Sequence, residues 1–196
     1  VPRLLASDPS FAILPDVALF LARQRQDLLG PYLRGTPLQG RFATGRTLWV
    51  LDFASGTARW TSAQQRAYAQ ALLGLLADEK REVPTLRFAI DRLVTLALAP
   101  SAPVIALAAD PRPPVREMAV RGLAHLDGPE ALAALLECLG DDRVRWAIYA
   151  LRGVFAELPK REVIERLRAA PMNKVTVAKE VVRLLGELGG DEGYPD

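Results

Sequence analysis

A pattern of small and large apolar residues recurs about every 30 residues through the second half of this chain, and it limits the folds open to it. A small residue returns at intervals of 30, 28 and 31 residues, at Ala89, Ala119, Ala147 and Ala178. A large aliphatic residue follows each alanine by four positions, at Leu93, Leu123, Leu151 and Val182. Repetition of this length is typical of helical arrays, in which each unit buries its apolar face against its neighbours.

Each recurring segment predicts a pair of antiparallel helices. Apolar residues have helical spacing in the second segment, at Val115, Ala119, Leu123 and Leu126, and in the fourth, at Val175, Ala178, Val182 and Leu185. A second apolar helix is expected over residues 102–108, 129–139 and 160–169, after breaks that contain Gly, Pro or Ser. Because one pair cannot bury both of its apolar faces, neighbouring pairs are expected to stack into a continuous core.

The sequence therefore predicts an all-α fold, a short right-handed α-solenoid of helix pairs. We expect an N-terminal helical region, which forms an atypical repeat, over residues 1–82. The regular repeats are expected over residues 83–109, 110–140, 141–170 and 171–196.

One turn and the helix after it carry a family resemblance. The run Asp110-Pro-Arg-Pro-Pro-Val-Arg116, followed by Ala119 and Leu123, resembles the HEAT repeat, with its Asp-Pro turn, its Val-Arg pair and its Ala and Leu on one helix face. The resemblance covers roughly residues 83–190 and implies HEAT-like helix pairs. It also implies that Asp110 and Arg116 belong to a ladder between repeats, in which the acidic side chain of one turn pairs with arginine. The run from Lys174 to Leu188 is similar to the C-terminal part of uncharacterised bacterial HEAT-repeat proteins.

The first 82 residues are less regular. Helical spacing is present over residues 16–29 and 61–77, with Asp16 and either Thr61 or Ser62 as candidate N-caps. Between them lies a segment rich in Gly, Thr and aromatic residues. It predicts a small extended or β-hairpin insertion near residues 41–60. Long insertions between helices often carry function.

The candidate partner-binding residues come from this insertion. Between Arg23 and Arg66 there are seven arginines and only two acidic residues. Arginine and tryptophan are enriched in protein hot spots and also stack on nucleic-acid bases. We therefore take four side chains as the candidates, Arg41, Arg46, Trp49 and Trp60. The alternative is a solvated positive face with tryptophans that fill the core.

Catalytic and metal chemistry has little support in this composition. The chain has one histidine, His125, and one cysteine, Cys138, which excludes paired-histidine metal sites, cysteine clusters and an intramolecular disulfide. We expect no enzyme activity, no cofactor and no metal, and a reducing compartment such as the cytoplasm. A net charge of +2 gives no general attraction to nucleic acid or to an anionic membrane, and no membrane span is expected. The first residue, Val1, is not Met, which suggests a trimmed longer chain or a removed tag.

The expected function is that of a non-catalytic scaffold or adaptor that binds another protein. Its surface would be the insertion or the exposed side of the second helices, around Glu130, Glu137, Lys160, Arg161 and Arg168. The alternative is a nucleic-acid-binding HEAT-like protein related to alkylpurine DNA glycosylases. That resemblance depends on four side chains, Trp146, Arg143, Arg145 and Arg152.

Overall fold

The computed structural model describes residues 1–33, 38–43, 50–53, 55–78, 81–96, 98–126, 128–170, 172 and 174–188. In this part of the chain the regular structure is helical and contains no strand. The predicted all-α fold of consecutive helix pairs, as in an α-solenoid, is confirmed. The chain divides into two compact units, Val1–Ala99 and Pro100–Asp196.

Within its described residues the first unit contains four α-helices, α1 (Pro2–Ser7), α2 (Pro15–Gln24), α3 (Ser62–Leu76) and α4 (Val83–Val94). Short 3₁₀ helices lie between them, at Pro9–Ile13, Gln26–Leu28, Gly30–Tyr32 and Thr57–Arg59. Helices α3 and α4 pack against each other. The two helices predicted before residue 78 are therefore present as α2 and α3, whereas α1 was not predicted.

The starts of α2 and α3 test the predicted caps. The Thr61 hydroxyl accepts the Gln64 N–H, and the Gln64 side chain accepts the Thr61 N–H, so α3 begins with a complete capping box. The predicted Asp16 cap is wrong. Leu14 occupies the N-cap position and Pro15 opens α2, because proline is favoured in the first turn, and Asp16 lies inside that turn.

The described residues of the insertion form no strand, and part of the run predicted to be extended or a β-hairpin lies outside the described residues. Its backbone donors bind side chains of the N-terminal segment instead of a partner strand: Arg41 N–H donates to Asp8 Oδ2 (3.0 Å), and Phe42 N–H donates to Ser10 Oγ (2.9 Å). Gly40 has a φ of 140°, and a Cβ there would lie 1.9 Å from Asp8 Oδ1. This close approach explains the glycine. Residues 44–49 and 54 of the insertion lie outside the described residues.

The second unit contains, among its described residues, α5 (Ser101–Leu107), α6 (Pro113–Leu123), α7 (Pro129–Glu137), α8 (Val144–Glu157), α9 (Lys160–Arg168) and α10 (Val175–Glu187). A 3₁₀ helix, Cys138–Gly140, follows α7. The first helices α6 and α8 pack side by side, as do the second helices α5 and α7, and α6 also contacts its own second helix α7. This layered packing buries the two faces that a single pair leaves open.

The recurrent alanines lie in the core, with one exception. Ala89, Ala119 and Ala147 are fully buried, as the repeat pattern predicts. In α10, however, Ala178 is only half-buried and Val182 is 56% exposed. The buried face of α10 is instead formed by Val177, Val181 and Leu184. A shift of one position turns a helix by about 100°, so the face formed by these three side chains, and not the predicted face, lies toward the core.

Candidate functional site

A groove of about 890 Å³ lies between α6 and α8 in the second unit. Its lining includes three side chains from α6 and the turn after it, Glu117, Arg121 and His125, and three from α8, Arg145, Trp146 and Tyr149. Residues three or four positions apart share one face of a helix, so the sequence spacing itself brings these side chains to facing sides of the groove.

Two aromatic side chains dominate the α8 side of the groove. Trp146 is half-buried, and Tyr149 is 61% exposed. An exposed tyrosine beside a partly covered tryptophan offers a large apolar surface with little side-chain entropy to lose on binding. Such pairs are typical of the centre of a protein interface.

The charges around these rings are partly compensated. Arg121 Nη2 lies 2.7 Å from Glu117 Oε1, an ion pair within one helical turn. Arg145 is exposed and has no ion-pair partner among the described residues. The groove therefore combines one paired and one unpaired guanidinium with the two rings. Because exposed ion pairs contribute little, Arg121 can exchange its partner for a ligand at small cost.

The turns before α6 and α8 are built in the same way. Asp110 accepts the Arg112 N–H at 2.8 Å and its guanidinium at 2.8 and 2.9 Å. Asp141 accepts the Arg143 N–H at 2.9 Å and its guanidinium at 2.5 and 2.8 Å. The hydrogen bonds from these arginines hold the pKa of both carboxyl groups below the usual value. The Asp-x-Arg sequence in front of a helix is thus the local signal of this turn.

Arg116 joins this turn to the next repeat. Its Nη1 donates to the carbonyl oxygens of Asp110 (3.0 Å) and Pro111 (3.1 Å), and its Nη2 donates to Asp142 Oδ2 (2.9 Å). Asp110 thus contacts Arg116 through its main chain, while its carboxylate binds Arg112. Of these Arg116 contacts, the ion pair with Asp142 reaches the turn before α8.

The structure places the four candidate binding residues differently. Trp60 is only 5% exposed: its ring packs edge-to-face on Phe53 and Tyr68, and its Nε1 donates to Ala22 O (3.0 Å). It is a core residue, because burial satisfies both its apolar ring and its polar N–H, and this corrects its predicted place on a binding surface. Arg41 is exposed. Arg46 and Trp49 lie outside the described residues.

The other predicted surfaces also have a definite place. The second-helix side chains are all exposed, namely Glu130, Glu137, Lys160, Arg161 and Arg168. Of the set compared with DNA glycosylases, Arg143 is bound to Asp141, and Arg152 Nη2 lies 2.6 Å from Glu187 Oε1. Only Trp146 and Arg145 line the groove. Sequence reasoning missed Tyr149, although its position three residues after Trp146 placed it on the same face.

In the part of the chain that the structure describes, neither Cys138 nor the possible metal ligands form a second candidate site. Cys138 is buried, and burial raises the pKa of its thiol to about 11. Within the described residues, no three His, Cys, Asp or Glu side chains are placed to hold a metal ion. The same residues include no helix with the length and apolarity to cross a membrane.

A family model for HEAT repeats matches residues 58–152. This segment is similar to HEAT repeats. The matched segment extends from the 3₁₀ helix before α3 into α8, so it begins earlier than the resemblance over residues 83–190 and includes α3. It also contains the groove residues Arg121, Trp146 and Tyr149. HEAT repeats generally serve as protein-interaction scaffolds and are typically non-catalytic. Neither the search of curated proteins nor the search of solved structures found a match.

Proposed function

We propose that this chain is a non-catalytic scaffold or adaptor that binds another protein through the groove between α6 and α8. The observation that carries the proposal is the exposure of Tyr149, which is 61% exposed and lies beside Trp146 inside the HEAT segment. Aromatic and arginine anchors of this kind supply most of the binding free energy in protein interfaces. The unpaired Arg145 adds a site for a carboxylate or a carbonyl group of the partner.

A nucleic-acid ligand has less support from the same groove. Binding to a phosphate backbone depends on several cations that are free to replace counterions. Here Arg143 and Arg152 are held by carboxylates, and Glu117 adds a negative charge beside Arg121. A labelled DNA duplex is therefore expected to show no salt-sensitive binding at low ionic strength. Strong binding under those conditions would favour the alternative.

The test of the groove is affinity capture from native extract with matched variants. Tyr149→Ala and Arg145→Ala are expected to lose a partner that the unmodified chain retains, with an affinity drop of about tenfold or more for Tyr149→Ala. Leu19→Ala is the control, because Leu19 is an exposed apolar side chain of α2 in the other unit (37%). If all variants retain the same proteins, the groove is not the binding surface.

Two further surfaces remain proposals. The insertion contributes Arg41, Arg46 and Trp49, and Arg41→Ala in the same capture experiment tests it. The exposed side of the second helices is tested by Arg168→Glu.

We also propose the division into an N-terminal region, residues 1–82, and HEAT-like repeats over residues 83–196. The buried, unpaired Cys138 fits a reducing compartment such as the cytoplasm.

A further inference from the structure

Helix α10 carries two apolar stripes, and only one of them is covered. Val177, Val181 and Leu184 are buried in the second unit. On another face of the same helix Val175 is 73% exposed and Val182 is 56% exposed. Isolated exposed aliphatic residues are ordinary, but two that are seven positions apart lie on one line along a helix and form a patch.

The open stripe has the spacing of a coiled-coil seam. Val175, Ala178, Val182 and Leu185 follow one another by three, four and three residues, which is the a/d pattern of two heptads. Ala178 and Leu185 are half-buried. Beside the seam, a Cβ added to Gly186 would find no neighbouring atom within 4 Å. The open face of α10 therefore has room for a second helix packed along it.

One lysine flanks the N-terminal half of this seam. In the heptad numbering Lys179 takes position e inside α10, one of the two positions that contact a partner helix across a coiled coil. Lys174 would take position g, but it is the N-cap residue of α10 and its backbone is extended. Lys174 Nζ has a long contact of 3.3 Å with Gly140 O. Lys179 is exposed and has no ion-pair partner among the described residues. Lys179 is thus available to a carboxylate on the partner, whereas the Lys174 side chain lies against Gly140.

Lys179 opposes antiparallel pairing of two copies through this seam. An antiparallel pair would place Lys179 of one copy against its own equivalent in the other. Like charges across a coiled coil disfavour association. A helix with acidic residues at its e and g positions meets the opposite sign in either direction.

We propose that the seam Val175–Ala178–Val182–Leu185 binds an amphipathic helix of another protein, with aliphatic residues at its a and d positions and Glu or Asp at its e and g positions. The aliphatic side chains cover the exposed valines, and the carboxylates beside them pair with Lys179. This surface is separate from the aromatic groove, and the inference does not depend on the function proposed for that groove.

The test measures binding of two labelled model peptides to the full 196-residue chain. Both are about three heptads long with Leu at a and d, and one has Glu and the other Lys at e and g. Fluorescence anisotropy at low salt is expected to show binding of the Glu peptide, at least about threefold tighter than the Lys peptide. Added salt is expected to reduce this difference, because it screens exposed charges.

Three variants locate the binding. Val182→Glu is expected to abolish binding of the Glu peptide, and its exposed position leaves the fold intact, as an unchanged Tm will verify. Lys179→Glu is expected to reverse the preference toward the Lys peptide. Arg161→Glu makes the same charge change at a side chain of α9 that is 91% exposed, and it is expected to leave the preference unchanged.

Several outcomes would overturn the proposal. One is that both peptides bind the chain with equal affinity. Another is that the Glu peptide does not bind at chain concentrations up to about 1 mM. Binding that Val182→Glu leaves intact would place the peptide elsewhere. Sedimentation that shows dimers of the unmodified chain but not of Val182→Glu would assign the seam to a second copy.

Discussion

At the scale of single residues, the aromatic cluster shows how the irregular part of the first unit is fixed. Tyr68 is fully buried, and its hydroxyl donates to Leu51 O (2.8 Å) and accepts the Phe53 N–H (3.4 Å). Burial raises the pKa of this hydroxyl well above its usual range, so it stays protonated and able to donate. One helical side chain thus satisfies two backbone groups of a segment that has no regular structure of its own.

Removing that hydroxyl is therefore expected to destabilise the protein. Tyr68→Phe keeps the ring but leaves the Leu51 carbonyl and the Phe53 N–H without this partner, and the free energy of unfolding should fall by about 1–3 kcal/mol in urea titrations. Tyr149→Phe is the control, because Tyr149 is 61% exposed, and a change below about 0.5 kcal/mol is expected. Equal effects in both variants would contradict the assigned role of the Tyr68 hydroxyl.

At the scale of helices and turns, Arg116 combines two contacts of unequal value. Its hydrogen bonds to the carbonyls of Asp110 and Pro111 are made by a side chain that is 18% exposed. Its ion pair reaches Asp142, whose side chain is 69% exposed. Since solvent screens the ion pair, the carbonyl contacts should contribute more to stability.

This ranking can be measured. Arg116→Ala is expected to lower the free energy of unfolding by about 1–2 kcal/mol, whereas Asp142→Ala should change it by less than about 0.5 kcal/mol. Arg116→Lys keeps the charge but not the planar fork, so an intermediate loss is expected. A larger loss for Asp142→Ala than for Arg116→Ala would show that the ion pair dominates.

The helices of the second unit were predictable because each carries strong start, stop and spacing signals. Gly128 and Pro129 mark the start of α7, and the buried alanines mark the close approach of neighbouring first helices. For α10 the same rule failed, because both of its stripes are apolar and periodicity alone does not decide which one is buried. The open stripe that misled the prediction is the seam to which we assign a partner helix.

The candidate site was harder to predict from the sequence than the fold was. The sequence does not distinguish Trp60 from Trp146. Trp60 is a core residue whose Nε1 binds a backbone carbonyl, whereas Trp146 lines the groove. That difference depends on contacts with residues far away in the chain, such as Ala22 for Trp60, and local patterns do not report them. The HEAT resemblance predicted where helices lie. Which aromatic residues stay exposed depends on how these helices pack, and only the structure gives that packing.

For the molecule as a whole, carboxylates bound to arginines make stability depend on pH. The guanidiniums of Arg112 and Arg143 hold the pKa of Asp110 and Asp141 below the ordinary value of 3.8. A lowered pKa in the folded state stabilises the protein above the pKa of the unfolded chain. This contribution is lost as the pH falls below about 4 and through the folded-state pKa.

The corresponding measurement is the free energy of unfolding as a function of pH, from neutral to acid. Asp110→Asn is expected to lower the free energy of unfolding by about 1 kcal/mol at pH 7, and the difference from the unmodified chain should shrink toward pH 3. Arg112→Gln removes the arginine of the same ion pair, and it should also make the free energy of unfolding depend less on pH in the acid range. A difference that stays constant with pH would show that Asp110 acts through shape and not through its charge.

The shielded thiol of Cys138 makes the chain a convenient host for spectroscopic reporters. It is the only cysteine in the sequence, and with a pKa of about 11 and 1% exposure it reacts slowly with thiol-specific dyes at neutral pH. A cysteine introduced by Tyr149→Cys or Val182→Cys will be labelled first. Each surface can then be followed by its own fluorophore or spin label without removal of the natural cysteine.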